Sequence, residues 1–189
     1  MSTDTAAFDS LLSVAQHSLR HAAGLPAQIE RRTYWSGVGF ELMGERIVVA
    51  IDDVVETLEL PALTRLPGVQ PWVRGVANVR GRLLPITDLA ILLGGERRKG
   101  AKNRVLVVEQ GELFAGLLVD DVFGIQHFPE DEILGESGEN ERLKPFVIGA
   151  YAAKDSIWSV CSMEEILSKS NFMSADQRSI LTINNNEPS

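Results

Sequence analysis

The stretch WVRGVANVRGRLLPITDL, from Trp72 to Leu89, is the most informative part of this chain. Small apolar residues alternate with polar ones as far as Val79, and a second apolar run follows Arg82. Such alternation is typical of β-strands, and a glycine between them is typical of a tight turn. The pattern predicts a β-hairpin with its tip at Arg80-Gly81-Arg82, where Gly81 can adopt a positive φ without steric cost.

The first strand of this hairpin has two distinct faces. Alternate side chains of an extended strand point to the same side, so Arg74, Val76, Asn78 and Arg80 share one face. That face is polar and cationic, and it is open either to solvent or to a partner. Two interpretations stand side by side: the arginines form a functional surface, or they keep an edge strand soluble.

The chain also contains an internal repeat. IVVAIDDV at Ile47–Val54 resembles AGLLVDDV at Ala115–Val122, 68 positions later. The opening stretch resembles FVIGAYAAKDSIWSVCSM at Phe146–Met163, 74 positions later. Two matches in the same order predict two similar β units in one domain, with chance similarity as the alternative. Positions that both copies share, such as Gly75 and Gly149, are expected to be scaffold, and positions that differ are candidates for function.

Length and composition describe one domain with an extension at each end. The chain has 189 residues and 44% apolar content, which is enough for a substantial core. Short runs rich in valine, isoleucine and leucine follow Tyr34 and predict an all-β domain over residues 33–170. Residues 1–32 predict a helix that packs on its own domain or docks a partner. Residues 171–189 predict a polar, mobile tail.

Charge and cysteine content narrow the classes of function. The net charge of -8 argues against a protein that binds nucleic acid or anionic membranes. The single cysteine, Cys161, suits a reducing compartment. The sequence lacks a signal peptide and any apolar run near the ~18 residues that a membrane helix needs. We therefore predict a cytoplasmic protein without direct membrane insertion.

Signals of enzymatic chemistry are weak. The sequence has no G-x-S-x-G motif and no phosphate-binding loop. A hydrolase that used His127 with an aspartate would lack an identifiable nucleophile. Asp52-Asp53 and Asp120-Asp121 end strands and recur with the repeat, so turn chemistry explains them better than acid–base catalysis. We predict no catalytic residue, no metal site and no cofactor.

The charges are unevenly distributed along the chain. Eight lysines or arginines and two acids lie between Trp72 and Arg104, whereas ten acids and no lysine or arginine lie between Glu109 and Glu141. These blocks either orient protein partners or satisfy each other across the fold. Glu56, in VVETLEL, lies among apolar residues, where a carboxylate is costly unless a cation neutralises it.

The opening stretch resembles the hallmark of CheW-like coupling proteins, G-V-x-N-x-R-G followed by P-I-x-D-L. The likeness extends from about Tyr34 to Lys169. It implies two small five-stranded SH3-like β-barrels around a shared hydrophobic core, with an N-terminal helix and a short C-terminal helix near Met163–Lys169. Family members are not enzymes. They bind the regulatory domain of a CheA-like histidine kinase and the cytoplasmic tip of a methyl-accepting chemoreceptor.

The resemblance also implies roles for individual residues. Arg80 matches the arginine of N-x-R-G, and Glu56 matches an acid that pairs with it, so we expect this pair to fix a receptor-facing surface. Four further positions match residues of the receptor-facing surface, namely Val54, Gly75, Asn78 and Ile125. A structural role for Gly75 is equally compatible with the sequence. The range Val105–Val122 is expected to meet the kinase domain.

The segments around HAAGLPAQ, GVANVRGRLLPI and FAGLLVDDVFGIQHFP are most similar to adaptors of chemosensory systems that control type IV pili. They predict a non-catalytic adaptor in twitching motility, held at the membrane-associated receptor array through its partners. One alternative is an adaptor of flagellar chemotaxis. Another is a β-barrel that binds a small ligand or nucleic acid, which the acidic charge and 6% aromatic content disfavour.

Overall fold

The computed structural model describes residues 33–135, 140–153 and 156–169. The predicted N-terminal helix, the polar tail and the counterpart of Arg80, Lys154, lie outside these residues, and the predicted domain boundaries stay a prediction. The described chain contains ten strands: β1 Tyr34–Leu42, β2 Glu45–Ala50, β3 Glu56–Glu59, β4 Val73–Val79, β5 Arg82–Asp88, β6 Arg104–Gln110, β7 Leu113–Val119, β8 Asp121–Pro129, β9 Val147–Ala153 and β10 Ser156–Cys161. Two short helices, α1 Leu89–Leu92 and α2 Met163–Lys169, follow β5 and β10.

The strands form two curled five-stranded sheets. Barrel I has the strand order β8-β1-β2-β10-β9, and barrel II has the order β3-β6-β7-β5-β4. Each barrel takes strands from both halves of the chain, because β3 leaves the β1–β2 hairpin for barrel II and β8 leaves the β6–β7 hairpin for barrel I. The two barrels are therefore interlinked parts of one domain.

The internal repeat corresponds to this symmetry. Gly75 faces Ile86 across β4 and β5, and Gly149 faces Val160 across β9 and β10, 74 positions later in both strands. An isolated bridge joins Thr64 to Val76 in barrel II, and Leu134 to Ala150 in barrel I. The prediction of two similar β units is confirmed, although each barrel combines the first hairpin of one copy of the repeat with three strands of the other.

The central strands are apolar along their whole length because both of their faces are buried. In β6, Leu106 and Val108 pack into a core between the sheets, whereas Val105 and Val107 pack into the interior of barrel II. In β2, Val48 packs instead with Phe128, Tyr151 and Trp158 inside barrel I. The shared core also receives α1 and α2, through residues such as Leu89 and Ile166. The prediction of two SH3-like barrels around a shared core is confirmed.

The two helices begin at equivalent positions of the repeat. The N–H of Ile91 donates to Asp88 Oδ1 at the start of α1, and the N–H of Glu165 donates to Ser162 Oγ near the start of α2. Each side chain satisfies a backbone donor that the first turn of a helix leaves unpaired. The aspartate of P-I-x-D-L is thus a helix cap. None of the helices in the described part of the chain is long and apolar enough to span a membrane.

Candidate partner-binding surface

The β4–β5 hairpin turns at the predicted position. Val79 pairs with Arg82, and the two residues between them have positive φ angles of 51° at Arg80 and 82° at Gly81. Asn78 Oδ1 accepts a hydrogen bond of 2.9 Å from the N–H of Gly81. Two consecutive positive φ angles are typical of a hairpin turn that favours asparagine and glycine. Arg80 occupies this left-handed conformation without being either, which is unfavourable for a long side chain.

Arg80 forms the ion pair expected with Glu56. Arg80 Nη2 lies 2.8 Å from Glu56 Oε2, and the exposed fractions of the two side chains are 78% and 22%. Glu56 begins β3 and Arg80 follows β4, which are the two edge strands of barrel II. The ion pair therefore spans the seam where the curled sheet closes. Arg80 is the cation that the sequence requires beside Glu56.

Two of the other predicted receptor-facing residues have packing roles. Val54 is half-buried and packs against the shared core. Gly75 is buried with a φ of 138°, and a Cβ atom there would stand 2.4 Å from the backbone oxygen of Thr64. Since Thr64 bridges to Val76, the glycine allows two backbones to approach closely. The structure supplies this internal reason for Gly75, and receptor contact at both positions stays a prediction.

Ile125 lies in barrel I, apart from the Glu56–Arg80 seam in strand order. It pairs with Val38 across β8 and β1, and 55% of its surface is exposed. The structure thus brings Glu56, Arg80 and Asn78 together around one turn. Ile125 is an exposed apolar residue available to a partner, and it belongs to a different sheet from that turn.

The range Val105–Val122, which is expected to meet the kinase, has few exposed residues. Most of Val105–Val122 is buried in β6 and β7. Glu109, Gly111 and Glu112, around the turn between these strands, are exposed. Any partner that uses this range would have to contact this end of the β6–β7 hairpin.

The oppositely charged blocks partly satisfy each other. Arg82 Nη2 lies 3.1 Å from Glu109 Oε1, and Lys102 Nζ lies 2.8 Å from Asp121 Oδ2. Other cations of the basic block pair with acids upstream of it, as in the ion pairs Arg98–Glu41, Arg104–Glu59 and Arg80–Glu56. Of the two interpretations of the charge blocks, neutralisation of charges within the fold accounts for these ion pairs.

Asp88 is the residue that sequence reasoning missed. Its side chain is fully buried, with Oδ2 3.5 Å from Arg97 Nε and 3.9 Å from Arg74 Nη1. Burial nevertheless raises the pKa of Asp88, against the opposing effects of the hydrogen bond from Ile91 and of the two arginines. Arg74 thus faces an internal carboxylate as well as solvent. An aspartate directly before an apolar run is the sequence signal for a helix cap that could have identified this position.

Of the candidates for chemistry, His127 lies at the surface of barrel I, and Asp53 and Cys161 line a groove of the same barrel. Ser36 Oγ and His127 Nδ1 are 2.8 Å apart across β1 and β8, and this contact is exposed at the surface. Burial raises the pKa of Cys161 to about 12, so its thiol stays protonated. Within the described ranges no three histidine, cysteine, aspartate or glutamate residues are grouped to hold a metal ion.

Comparison with known proteins places these features in a family. The model of the CheW-like domain matches residues 36–171. Protein PilI of Pseudomonas aeruginosa is 46% identical over 168 residues, covering 88% of this chain and 94% of that protein. Protein FrzA of Myxococcus xanthus is 37% identical over 90 residues, 47% of this chain and 56% of that protein.

A solved structure agrees with the sequence matches. The crystal structure of the scaffolding protein TtCheW from Thermoanaerobacter tengcongensis superposes with a TM-score of 0.61 at 26% identity. The match covers 71% of this chain and 93% of that protein. The paired barrels and the matched sequence lead to one conclusion: the chain belongs to the family of CheW-like domains.

Proposed function

We propose that this chain is a non-catalytic adaptor that couples a methyl-accepting chemoreceptor to a CheA-like histidine kinase. The observation that carries the proposal is the Glu56–Arg80 ion pair across the seam of barrel II. By resemblance to the coupling proteins, Arg80 matches the arginine of N-x-R-G, and Glu56 matches an acid that pairs with it. In this proposal the pair fixes the surface that faces the receptor, and the adaptor reaches the membrane-associated array only through its partners.

Energetics favour a binding role for this pair over a stabilising one. An ion pair as exposed as this contributes about 0–1 kcal/mol to folding. Arg80 also occupies a left-handed turn position that asparagine or glycine would adopt more readily. A strained residue with little value for stability is typical of a functional site.

We further propose that the adaptor serves a system that controls type IV pili and twitching motility. Its support is the identity of 46% to PilI over nearly the whole chain. Matches named CheW, such as that of Helicobacter pylori at 27% over 136 residues, are weaker. An adaptor of flagellar chemotaxis is the alternative that the receptor experiment below also tests.

The experiment measures binding of the full chain to two purified partners by calorimetry. One is the regulatory domain of a CheA-like kinase, and the other is a chemoreceptor tip fragment, taken from a pilus system or from a flagellar system. We expect Glu56→Ala and Arg80→Ala to weaken receptor binding at least about tenfold, or about 1.4 kcal/mol. Kinase binding should stay within about twofold, since β6 and β7 are untouched.

Two variants act as controls. Arg80→Asn should preserve the turn, because asparagine tolerates the left-handed conformation, and should still lose receptor binding. Arg82→Ala removes the neighbouring Arg82–Glu109 ion pair of the same barrel and should leave receptor affinity unchanged. If the wild-type chain bound neither partner, the adaptor proposal would be wrong. Stronger binding to the flagellar fragment would overturn only the assignment to pili.

A further inference from the structure

A second surface lies on barrel I and does not include the Glu56–Arg80 pair. It is a groove of about 450 Å³ with an apolar lining that includes Trp35, Ile133, Ile148, Tyr151 and Met163. Ile133 and Ile148 are 52% and 62% exposed, so this β9 groove is open to solvent along one wall. None of the six residues predicted to face the receptor contributes to it.

Acidic side chains surround the β9 groove. Asp53, Glu130 and Glu164 line it together with the apolar residues. Burial raises the pKa of Asp53, and the nearby carboxylates of Asp52 and Glu164 raise it further. Across the described ranges, none of these three lining acids forms an ion pair with lysine or arginine. Among the described residues, the groove therefore has acidic side chains without a paired cation beside exposed apolar surface.

The internal repeat shows that one wall of this groove differs between the barrels. A groove of about 480 Å³ on barrel II is lined by Leu63, Arg65 and Arg74 among others. Arg74 takes the place that Ile148 has in the repeat, 74 positions later. At this position the β9 groove therefore has an exposed isoleucine where barrel II has an arginine.

We propose that the β9 groove binds a short, cationic, amphipathic segment of a partner protein. Apolar side chains of the segment would cover Trp35, Ile133 and Ile148, and its lysines or arginines would pair with the acids around them. Such a helix-in-groove arrangement buries apolar surface while neutralising charge. An anionic membrane would be repelled by the same acids and by the net charge of -8.

The experiment uses a synthetic, dye-labelled peptide as a probe. The peptide has leucines one helical turn apart and lysines that flank the leucine face. Two matched peptides carry glutamates for the lysines or serines for the leucines. Binding to the full chain is measured by fluorescence anisotropy at low and high salt. We expect the lysine peptide to bind, the matched peptides to bind at least about tenfold more weakly, and salt to reduce affinity.

Two exposed isoleucines provide a matched pair of variants. Ile148→Asp, in the groove, should weaken peptide binding at least about tenfold. Ile157→Asp, at a residue that is 54% exposed on the adjacent strand and outside the groove lining, should leave it unchanged. Glu164→Gln should weaken binding and lower its dependence on salt without altering the apolar surface.

Several outcomes would overturn the proposal. These are failure of the lysine peptide to bind, equal binding of the glutamate peptide, or equal effects of Ile148→Asp and Ile157→Asp. NMR of the ¹⁵N-labelled chain should place the largest peptide-induced shifts at Trp35, Ile133 and Ile148, and shifts centred elsewhere would contradict it. Glu56→Ala should leave peptide binding intact, so failure of this proposal and failure of the receptor proposal are distinguishable.

Discussion

The carboxylate of Asp88 has two roles where β5 ends. It caps α1 through Ile91, and it faces the guanidinium groups of Arg97 and Arg74 from a fully buried position. Burial raises its pKa, whereas the hydrogen bond and the two cations lower it, and burial has the larger effect. The charged form of this side chain is consequently less favourable in the folded protein than in the unfolded chain.

This balance predicts an unusual dependence of stability on pH. Between the ordinary aspartate pKa of about 3.9 and the raised pKa, the folded state binds more protons than the unfolded state. The contribution of Asp88 to stability is thus present below the ordinary pKa and is lost as pH rises through the raised one. We expect the unfolding free energy of the wild type, relative to Asp88→Asn, to fall as pH rises from about 4 to 7. Urea denaturation at several pH values measures this difference.

Asp121 provides a control, because its effect on the pH dependence of stability should have the opposite sign to that of Asp88. Its hydrogen bond from Lys102 lowers its pKa, so its contribution is present above the ordinary pKa and is lost as pH falls. The wild type should therefore gain stability relative to Asp121→Asn as pH rises. If the wild type also gained stability relative to Asp88→Asn, the ion pairs to Arg97 and Arg74 would outweigh the burial of Asp88.

At the scale of elements, β4 and β9 use equivalent glycines for different reasons. A Cβ atom on Gly75 would stand 2.4 Å from the backbone oxygen of Thr64, with φ at 138°. A Cβ atom on Gly149 would meet the end of the flexible Ile133 side chain at 2.9 Å. At Gly75 in β4, a backbone atom therefore blocks any side chain. At Gly149 in β9, the nearest obstacle is the end of a side chain that can rotate away.

Alanine substitution should separate the two positions. We expect Gly75→Ala to reduce the unfolding free energy by about 1–3 kcal/mol, because both the φ angle and the contact resist a side chain. Gly149→Ala should cost less than about 1 kcal/mol, since Ile133 can rotate away. Chemical denaturation measures both. A Gly75→Ala variant with wild-type stability and weak receptor binding would instead identify Gly75 as a direct contact.

At the scale of the whole molecule, the exchange of strands joins the barrels. Strand β3 completes barrel II although it follows the β1–β2 hairpin of barrel I, and β8 makes the reverse crossing. Strands of both sheets, with α1 and α2, also contribute to the shared core. Unfolding of either barrel would remove packing surface from the other, because both contribute to the shared core, so the domain should behave as one cooperative unit.

This coupling is testable without mutation. Trp35 and Trp158 pack in barrel I, whereas Trp72 stands just before β4 of barrel II. We expect ¹⁹F NMR signals from fluorotryptophan at all three positions to lose their native intensity at one urea midpoint. An earlier midpoint for Trp72 than for Trp35 and Trp158 would show that barrel II unfolds independently.

The local features of this protein follow from its sequence. Alternation and glycine predict the β4–β5 hairpin and its turn at Arg80-Gly81, because turn geometry depends on the few residues that form it. Strands buried on both faces become continuous apolar runs, so RIVVAI and RVLVVE could be identified directly. The repeat predicted two similar units because each copy keeps the same positions for packing.

Only the tertiary structure decided which strands belong together and what their edges bring into contact. Side-chain periodicity tells which face of a strand is apolar but not which sheet it joins, so the crossing of β3 and β8 could not be inferred. Curling of the sheet brings Glu56 to Arg80. The sequence indicated that Glu56 needs a cation beside it, but only the family resemblance identified that cation as Arg80. The β9 groove arises from segments distant in sequence, whose meeting depends on the packing of the whole chain.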